Sequence, residues 1–133
     1  MSKTNTPLIS VVDDDVSVVE AIVSLMQSVR YKSKGFLSAE EFLCSGQADK
    51  TACLILDVYM PDMGGLELQR QLGAGNCPIP IIFMTALDGE DVSSRALKAG
   101  AFKFLRKPFG QESLLKAVRS ALAWRPGVVP EIA

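Results

Sequence analysis

The chain alternates short apolar runs with stretches of helical periodicity. Leu8-Ile9-Ser10-Val11-Val12, Ala52-Cys53-Leu54-Ile55-Leu56 and Ile79-Pro80-Ile81-Ile82-Phe83-Met84 are nearly continuous in Val, Ile, Leu and Phe, as strands covered on both faces are. Ala101-Phe102-Lys103-Phe104-Leu105 is a fourth run, and Tyr31 to Phe36, where Tyr, Ser and Gly alternate with lysines, reads as an edge strand. Between the runs, Val18, Ile22, Leu25, Met26 and Val29 form one apolar stripe, and Ser38-Ala39-Glu40-Glu41 is a capping box opening a short helix with Phe42 and Leu43 inward. Gly64-Gly65 precedes a segment with Leu68 and Leu72 four apart. Asp88 caps a helix carrying Val92, Ala96 and Ala99 and closed by Gly100, and Gln111 to Trp124 carries Leu114, Leu115, Val118 and Leu122.

Strand and helix therefore alternate five times, which predicts a parallel α/β sheet. The ten elements occupy about 114 residues, too few for an eight-fold barrel. A five-stranded open sheet remains, with right-handed crossovers placing helices on both faces. Arg125-Pro126-Gly127-Val128-Val129-Pro130 reads as a linker or tail, because two prolines and a glycine stop the last helix.

Composition narrows the function. The 133 residues carry a formal charge of −1, with 48% apolar and 22% charged residues, the profile of one soluble globular domain. Near-zero charge removes the blanket attraction to phosphate backbones, so direct nucleic-acid binding by this domain is not expected. No apolar run approaches the roughly 20 residues of a bilayer span, and Met1 to Pro7 lacks the apolar stretch of a secretory signal. Cys44, Cys53 and Cys77 form no CxxC pair and read as reduced thiols of a cytoplasmic protein. There is no histidine, which excludes Ser-His-Asp and Cys-His triads and HExxH metalloproteases. Any chemistry rests on carboxylates, lysine, hydroxyls, backbone or a hard metal.

Open parallel sheets bind ligands at the carboxyl ends of their strands, near the point where strand order reverses. Strand 1 ends in Asp13-Asp14-Asp15, strand 3 in Asp57, strand 4 in Thr85-Ala86 and strand 5 in Lys107-Pro108. In a 2-1-3-4-5 order, strands 1 and 3 are neighbours and their aspartates face one crevice. Clustered carboxylates repel and need a cation; an all-oxygen set suits Mg²⁺, with Mn²⁺ able to substitute. Carboxylates, a lysine and a hydroxyl together describe a phosphoryl site, and a carboxylate is a competent nucleophile toward phosphorus. Asp15 is the expected cap of the first helix.

Five stretches at these spacings, Val12-Asp13-Asp14, Leu56-Asp57-Val58-Tyr59-Met60-Pro61 with Met63 and Gly65, Thr85-Ala86, Ala99-Gly100-Ala101 and Lys107-Pro108-Phe109, resemble the receiver domain of bacterial two-component response regulators. The likeness covers about residues 7 to 124, leaving 1–6 as a disordered N-terminus and 125–133 as linker or tail. Ser38-Ala39-Glu40-Glu41-Phe42 and Gly65-Leu66-Glu67-Leu68 are similar to receivers of regulators with a C-terminal helix-turn-helix output domain. The resemblance implies a flavodoxin-like (βα)5 doubly wound fold with the sheet order 2-1-3-4-5.

It implies Asp57 as phosphoacceptor, with Asp13, Asp14, Asp57 and the Tyr59 backbone carbonyl around Mg²⁺. Thr85, Ala86 and Lys107 would hold the phosphoryl group, with Lys107-Pro108 in the cis form. Thr85 and Phe104 would form the conformational switch, Phe104 lacking the hydroxyl that many receivers carry there. The Tyr59 side chain would lie at the rim and hinder water, and Gly64, Gly65 and Gly100 would be backbone positions without chemistry. The implied partner is a sensor histidine kinase. Phosphorylation would promote a homodimer through the fourth helix, fifth strand and fifth helix, where Arg95, Lys98, Lys103, Glu112, Lys116 and Arg119 supply mixed charge. Transcription would be regulated through a DNA-binding domain not in this chain, and the receiver would not be a turnover enzyme.

Three rivals differ in sequence. A pseudo-receiver that docks partners without phosphorylation would have lost a site residue, and none is missing. A phosphatase with an aspartyl nucleophile usually carries Asp-x-Asp on its first strand, and Asp57-Val58-Tyr59 lacks the second acid. A flavodoxin-like cofactor protein would have a hydroxyl-rich phosphate loop where this chain has acids.

Overall fold

The computed structural model describes residues 7–75, 78–86, 94, 97–98 and 100–124. Within them, β1 (Leu8–Val12), β2 (Lys32–Phe36), β3 (Thr51–Asp57), β4 (Ile81–Thr85) and β5 (Lys103–Arg106) make one sheet ordered β2-β1-β3-β4-β5. All four pairings are parallel, the arrangement expected from the alternation of elements. The helices are α1 (Val16–Ser28), α2 (Ala39–Cys44), α3 (Gly65–Ala74) and a C-terminal helix (Gln111–Ala123), with a 3₁₀ turn at Ala48–Lys50.

Alternation along the central strands sends side chains to two cores. Ile9, Val11, Ile55, Ile82 and Met84 pack under Val19, Ile22 and Met26 of α1 and Leu114 and Val118 of the C-terminal helix. Val12, Leu54, Leu56 and Phe83 pack against Phe42 of α2 and Leu68 and Leu72 of α3. Each such side chain contributes about 1.5–3 kcal/mol on burial, so the three central strands, apolar on both faces, fix the frame.

The buried residues of α1 are Val19, Ile22 and Met26, so the inward face is turned slightly from the expected stripe: Val19 replaces Val18, which like Leu25 is only partly buried. Val29 is the C-cap and is exposed, because the helix ends at Ser28. β4 starts at Ile81, two residues into its apolar run, because Pro80 has no N–H to give to the ladder. The capping box forms: the Ser38 hydroxyl accepts from the Glu41 N–H at 3.0 Å, and the Glu41 carboxylate accepts from the Leu37 N–H at 2.7 Å.

Of the helix expected from Asp88 to Gly100, Ser94, Leu97 and Lys98 are helical and Gly100 takes a left-handed φ of 104°. Asp88, Val92, Arg95, Ala96 and Ala99 lie outside the described residues, as do Cys77 and the segments 1–6 and 125–133. No helix among the described residues is long and apolar enough to cross a membrane.

Candidate functional site

Parallel strands end together, so the residues that follow them share one edge of the sheet. Val12 pairs with Leu56, Asp57 with Met84 and Thr85 with Arg106. The ladder continues one residue past each strand: the Asp13 N–H donates to the Phe36 carbonyl at 3.2 Å, Val58 to Met84 at 3.0 Å and Lys107 to Thr85 at 2.7 Å. These bonds hold the backbone of Asp13, Asp57 and Lys107, and the apolar strands beneath leave it little freedom.

The side chains converge on a single cluster. Asp13, Asp14 and Asp57 each offer a carboxylate oxygen within 4.8 Å of the others. Asp13 and Asp57 are buried, at 1% and 6% exposure, while Asp14 is open to solvent. Asp13 accepts the Asp15 N–H at 2.9 Å on one oxygen and the Lys107 ammonium at 2.9 Å on the other. The same ammonium stands 3.5 Å from Asp57. Asp15 is not part of the cluster and caps α1, its side chain accepting the Ser17 N–H at 2.9 Å, as expected.

Burial first, then the Asp13 charge, push the Asp57 carboxyl up to about 6, and Lys107 offsets only part of the rise. Burial pulls the Lys107 ammonium down, but the bond to Asp13 and the Asp57 charge outweigh it and leave Lys107 above its ordinary range. The cluster is thus short of positive charge. Its donors are hard oxygens with one side open, a set that fits a Mg²⁺ ion keeping several waters.

Of the remaining expected residues, Tyr59, Thr85, Ala86 and Lys107-Pro108 fall at strand ends and in the loops that follow them. Thr85 is buried at the end of β4 and Ala86 is exposed just beyond it. Tyr59 is exposed two residues past Asp57, in a segment tied to α3 by the Gly65 N–H, which donates to the Val58 carbonyl at 2.8 Å. Lys107-Pro108 is cis, as expected. Phe104 lies apart from the carboxylates. It is half-buried on the α2–α3 side, its ring 6.3 Å from that of Phe83. Lys98, Lys103, Glu112, Lys116 and Arg119 are exposed.

Sequence reasoning assigned Lys107 to an incoming ligand and missed its bond to Asp13. The signal was present: three acids and one base at one edge leave the base a partner among the acids. Neither described cysteine belongs to the acidic cluster. Cys53 is buried in β3, its thiol pushed up to about 12 by burial, and Cys44 is exposed on α2.

Comparison with known proteins gives a consistent picture. The response regulator receiver domain family model matches residues 9–119. The response regulator protein TmoT of Ectopseudomonas mendocina is 44% identical over 119 residues, 90% of this chain and 54% of TmoT. The transcriptional regulatory protein TdiR of Thauera aromatica is 38% identical over 90% of this chain and 52% of its own length. The solved structure of response regulator StyR superposes with a TM-score of 0.83 at 42% identity, covering 89% of this chain and 60% of that one. The chain spans about half the length of the curated relatives it matches.

Proposed function

The chain belongs to the response regulator receiver domain family, and we propose that it accepts a phosphoryl group on Asp57 from a sensor histidine kinase in a two-component phosphorelay. The observation that carries this reading is the buried Asp57 carboxylate, with two further carboxylates within 4.8 Å and the Lys107 ammonium at 3.5 Å. A solvated aspartate would have neither the burial nor the neighbours.

In the transfer, an Asp57 oxygen attacks phosphorus as the P–N bond to the donor imidazole breaks, and the electron pair leaves on the ring nitrogen. Asp13, Asp14, Asp57 and the Tyr59 backbone carbonyl are the groups that would hold Mg²⁺, or Mn²⁺ in its place. When bound, the ion supplies charge neutralisation for the phosphoryl oxygens. Lys107 sits between Asp13 and Asp57 and shifts toward the phosphoryl group as charge arrives there. The Thr85 hydroxyl and the Ala86 N–H donate to its oxygens.

Movement of Thr85 toward Asp57 lets Phe104 turn further inward against Phe83, shifting the population between two conformations. The surface around β5 then pairs with a second copy. The receiver unit runs over 7–124, with 125–133 as linker or tail. Its output is transcription regulation through a DNA-binding domain outside these 133 residues. The coverage of about half of TmoT and TdiR, and the name of the latter, support that output. The protein works in the cytoplasm as a phosphoacceptor with self-phosphorylation and autodephosphorylation chemistry, not as a turnover enzyme.

Intact-mass analysis tests the core of the reading. With Mg²⁺ and acetyl phosphate the protein should gain one phosphoryl adduct, and Asp57→Asn should gain none. Equal phosphorylation of the two would refute it.

A further inference from the structure

The segment 58–64 carries the Tyr59 carbonyl and links the phosphoacceptor to α3, and the contact holding it passes through one residue without a side chain. A Cβ built on Gly65 would lie 2.4 Å from the Asp57 carbonyl oxygen, 3.1 Å from its carbonyl carbon and 3.0 Å from Cε1 of Phe83. The nearest obstacle is the backbone of the phosphoacceptor itself, which cannot swing aside as a flexible side chain would. Relief demands either a lift of the first turn of α3, stretching the 2.8 Å bond from the Gly65 N–H to the Val58 carbonyl, or rotation of the Asp57–Val58 peptide. The first pulls on the segment that follows Asp57, and the second moves the Asp57 backbone itself.

We propose that Gly65 is a positioning residue for the phosphoacceptor site: the close approach of α3 that it permits fixes the Asp57 carboxylate and the Tyr59 carbonyl relative to Asp13 and Asp14. This inference rests on the functional reading above. It turns a residue that looks like turn chemistry into a determinant of metal affinity and transfer rate, through the backbone alone.

The neighbouring glycines provide a graded test. A Cβ on Gly64 would lie 3.1 Å from the Val58 carbonyl oxygen, a contact relieved by a few tenths of an ångström, and a Cβ on Gly73 in the same helix would meet nothing within 4 Å. Helix propensity alone favours Ala over Gly at an interior position such as Gly73. Contact with Asp57 instead predicts losses in the order Gly65→Ala, Gly64→Ala, Gly73→Ala.

The full chain and each variant are titrated with Mg²⁺ alone, followed by backbone amide resonances, and the metal-free amide shifts of Val58 and Tyr59 are compared. Gly65→Ala should weaken Mg²⁺ binding roughly 10-fold or more, the usual cost of disturbing support behind a metal ligand. It should also move the Val58 and Tyr59 amides and slow phosphorylation by acetyl phosphate by up to ~100-fold, as for a reacting group misplaced by an ångström. Gly64→Ala should weaken binding about 2–3-fold on the same argument, and Gly73→Ala should match wild type.

A folded Gly65→Ala with wild-type Mg²⁺ affinity and unmoved amides overturns the proposal. If Gly65→Ala does not fold, unchanged affinity and amides in Gly64→Ala overturn it instead. Wild type that neither binds Mg²⁺ nor accepts a phosphoryl group defeats the functional reading; wild type that does both, with variants that match it, defeats only the role of Gly65.

Discussion

Replacing Asp57 by Asn removes a charge that the metal-free fold holds at a cost, and the size of that cost follows from the site. Burial and the Asp13 charge raise the Asp57 carboxyl from 3.8 to about 6, with Lys107 offsetting part of it. At 1.36 kcal/mol per pH unit the difference is about 3 kcal/mol. Below pH 3.8 both folded and unfolded chains keep the proton, and Asp57 imposes no penalty. Between about 4 and 6 the unfolded chain releases its proton while the folded one retains it, so this group's contribution to stability falls as pH rises through the window. Above about pH 6 the full penalty is present.

Asn resembles the uncharged acid in shape and does not titrate. Asp57→Asn should therefore be about as stable as wild type near pH 4 and more stable by about 2–3 kcal/mol at pH 7.5 without metal. Urea unfolding of both proteins in chelator, at half-unit steps from pH 4.5 to 8 with slopes held equal, measures that difference directly. Saturating Mg²⁺ should erase it by stabilising wild type through mass action. A gap that stays flat across the pH range, or an Asp57→Asn protein less stable at pH 7.5, would refute the burial argument.

Other perturbations probe neighbouring parts of the site. Lys107→Met leaves the buried Asp13 without its 2.9 Å partner and should lower metal-free stability by about 2 kcal/mol, a loss that Mg²⁺ partly restores in thermal melts. Asp14→Ala removes an exposed member of the acidic cluster; calorimetric titration should show Mg²⁺ binding lost while metal-free stability holds or rises. Thr85→Ala should still form a beryllofluoride or phosphoryl adduct yet fail to dimerise. Sedimentation of activated wild type should show a dimer weakened by high salt, because exposed ion pairs are screened, and equal dimerisation of the two proteins would mean that Thr85 does not couple site to surface.

The fold was legible in the sequence because its central strands are apolar on both faces. Leu54 and Leu56 turn one way and Cys53 and Ile55 the other, so no shift of register could expose either set without great loss. The ends of α1 were less legible: Val29 continues the helical stripe in sequence but sits at the C-cap and is exposed, because periodicity carries no information about where the core stops. The same holds for β4, where the apolar run enters two residues before the strand and Pro80 decides the start. Asp13, Asp14 and Asp57 were legible because each stands at or just past the end of an apolar strand, where a parallel sheet gathers residues distant in sequence.

Lys107 and Gly65 show what that logic leaves out. Position at a strand end placed Lys107 in the site, but its choice of Asp13 at 2.9 Å over Asp57 at 3.5 Å depends on side-chain reach and on the Asp15 N–H already bound to the other Asp13 oxygen. No spacing rule encodes that balance. The resting ammonium thus occupies the acidic cluster as its counter-charge. Gly65 is silent for the opposite reason. A missing side chain has no polarity or period to detect, and its effect exists only in the 2.4 Å that separates an imagined methyl from the Asp57 carbonyl. The acidic cluster announces itself by charge at strand ends, whereas a residue that sets distances within it acts by packing, which three-dimensional contact alone reveals.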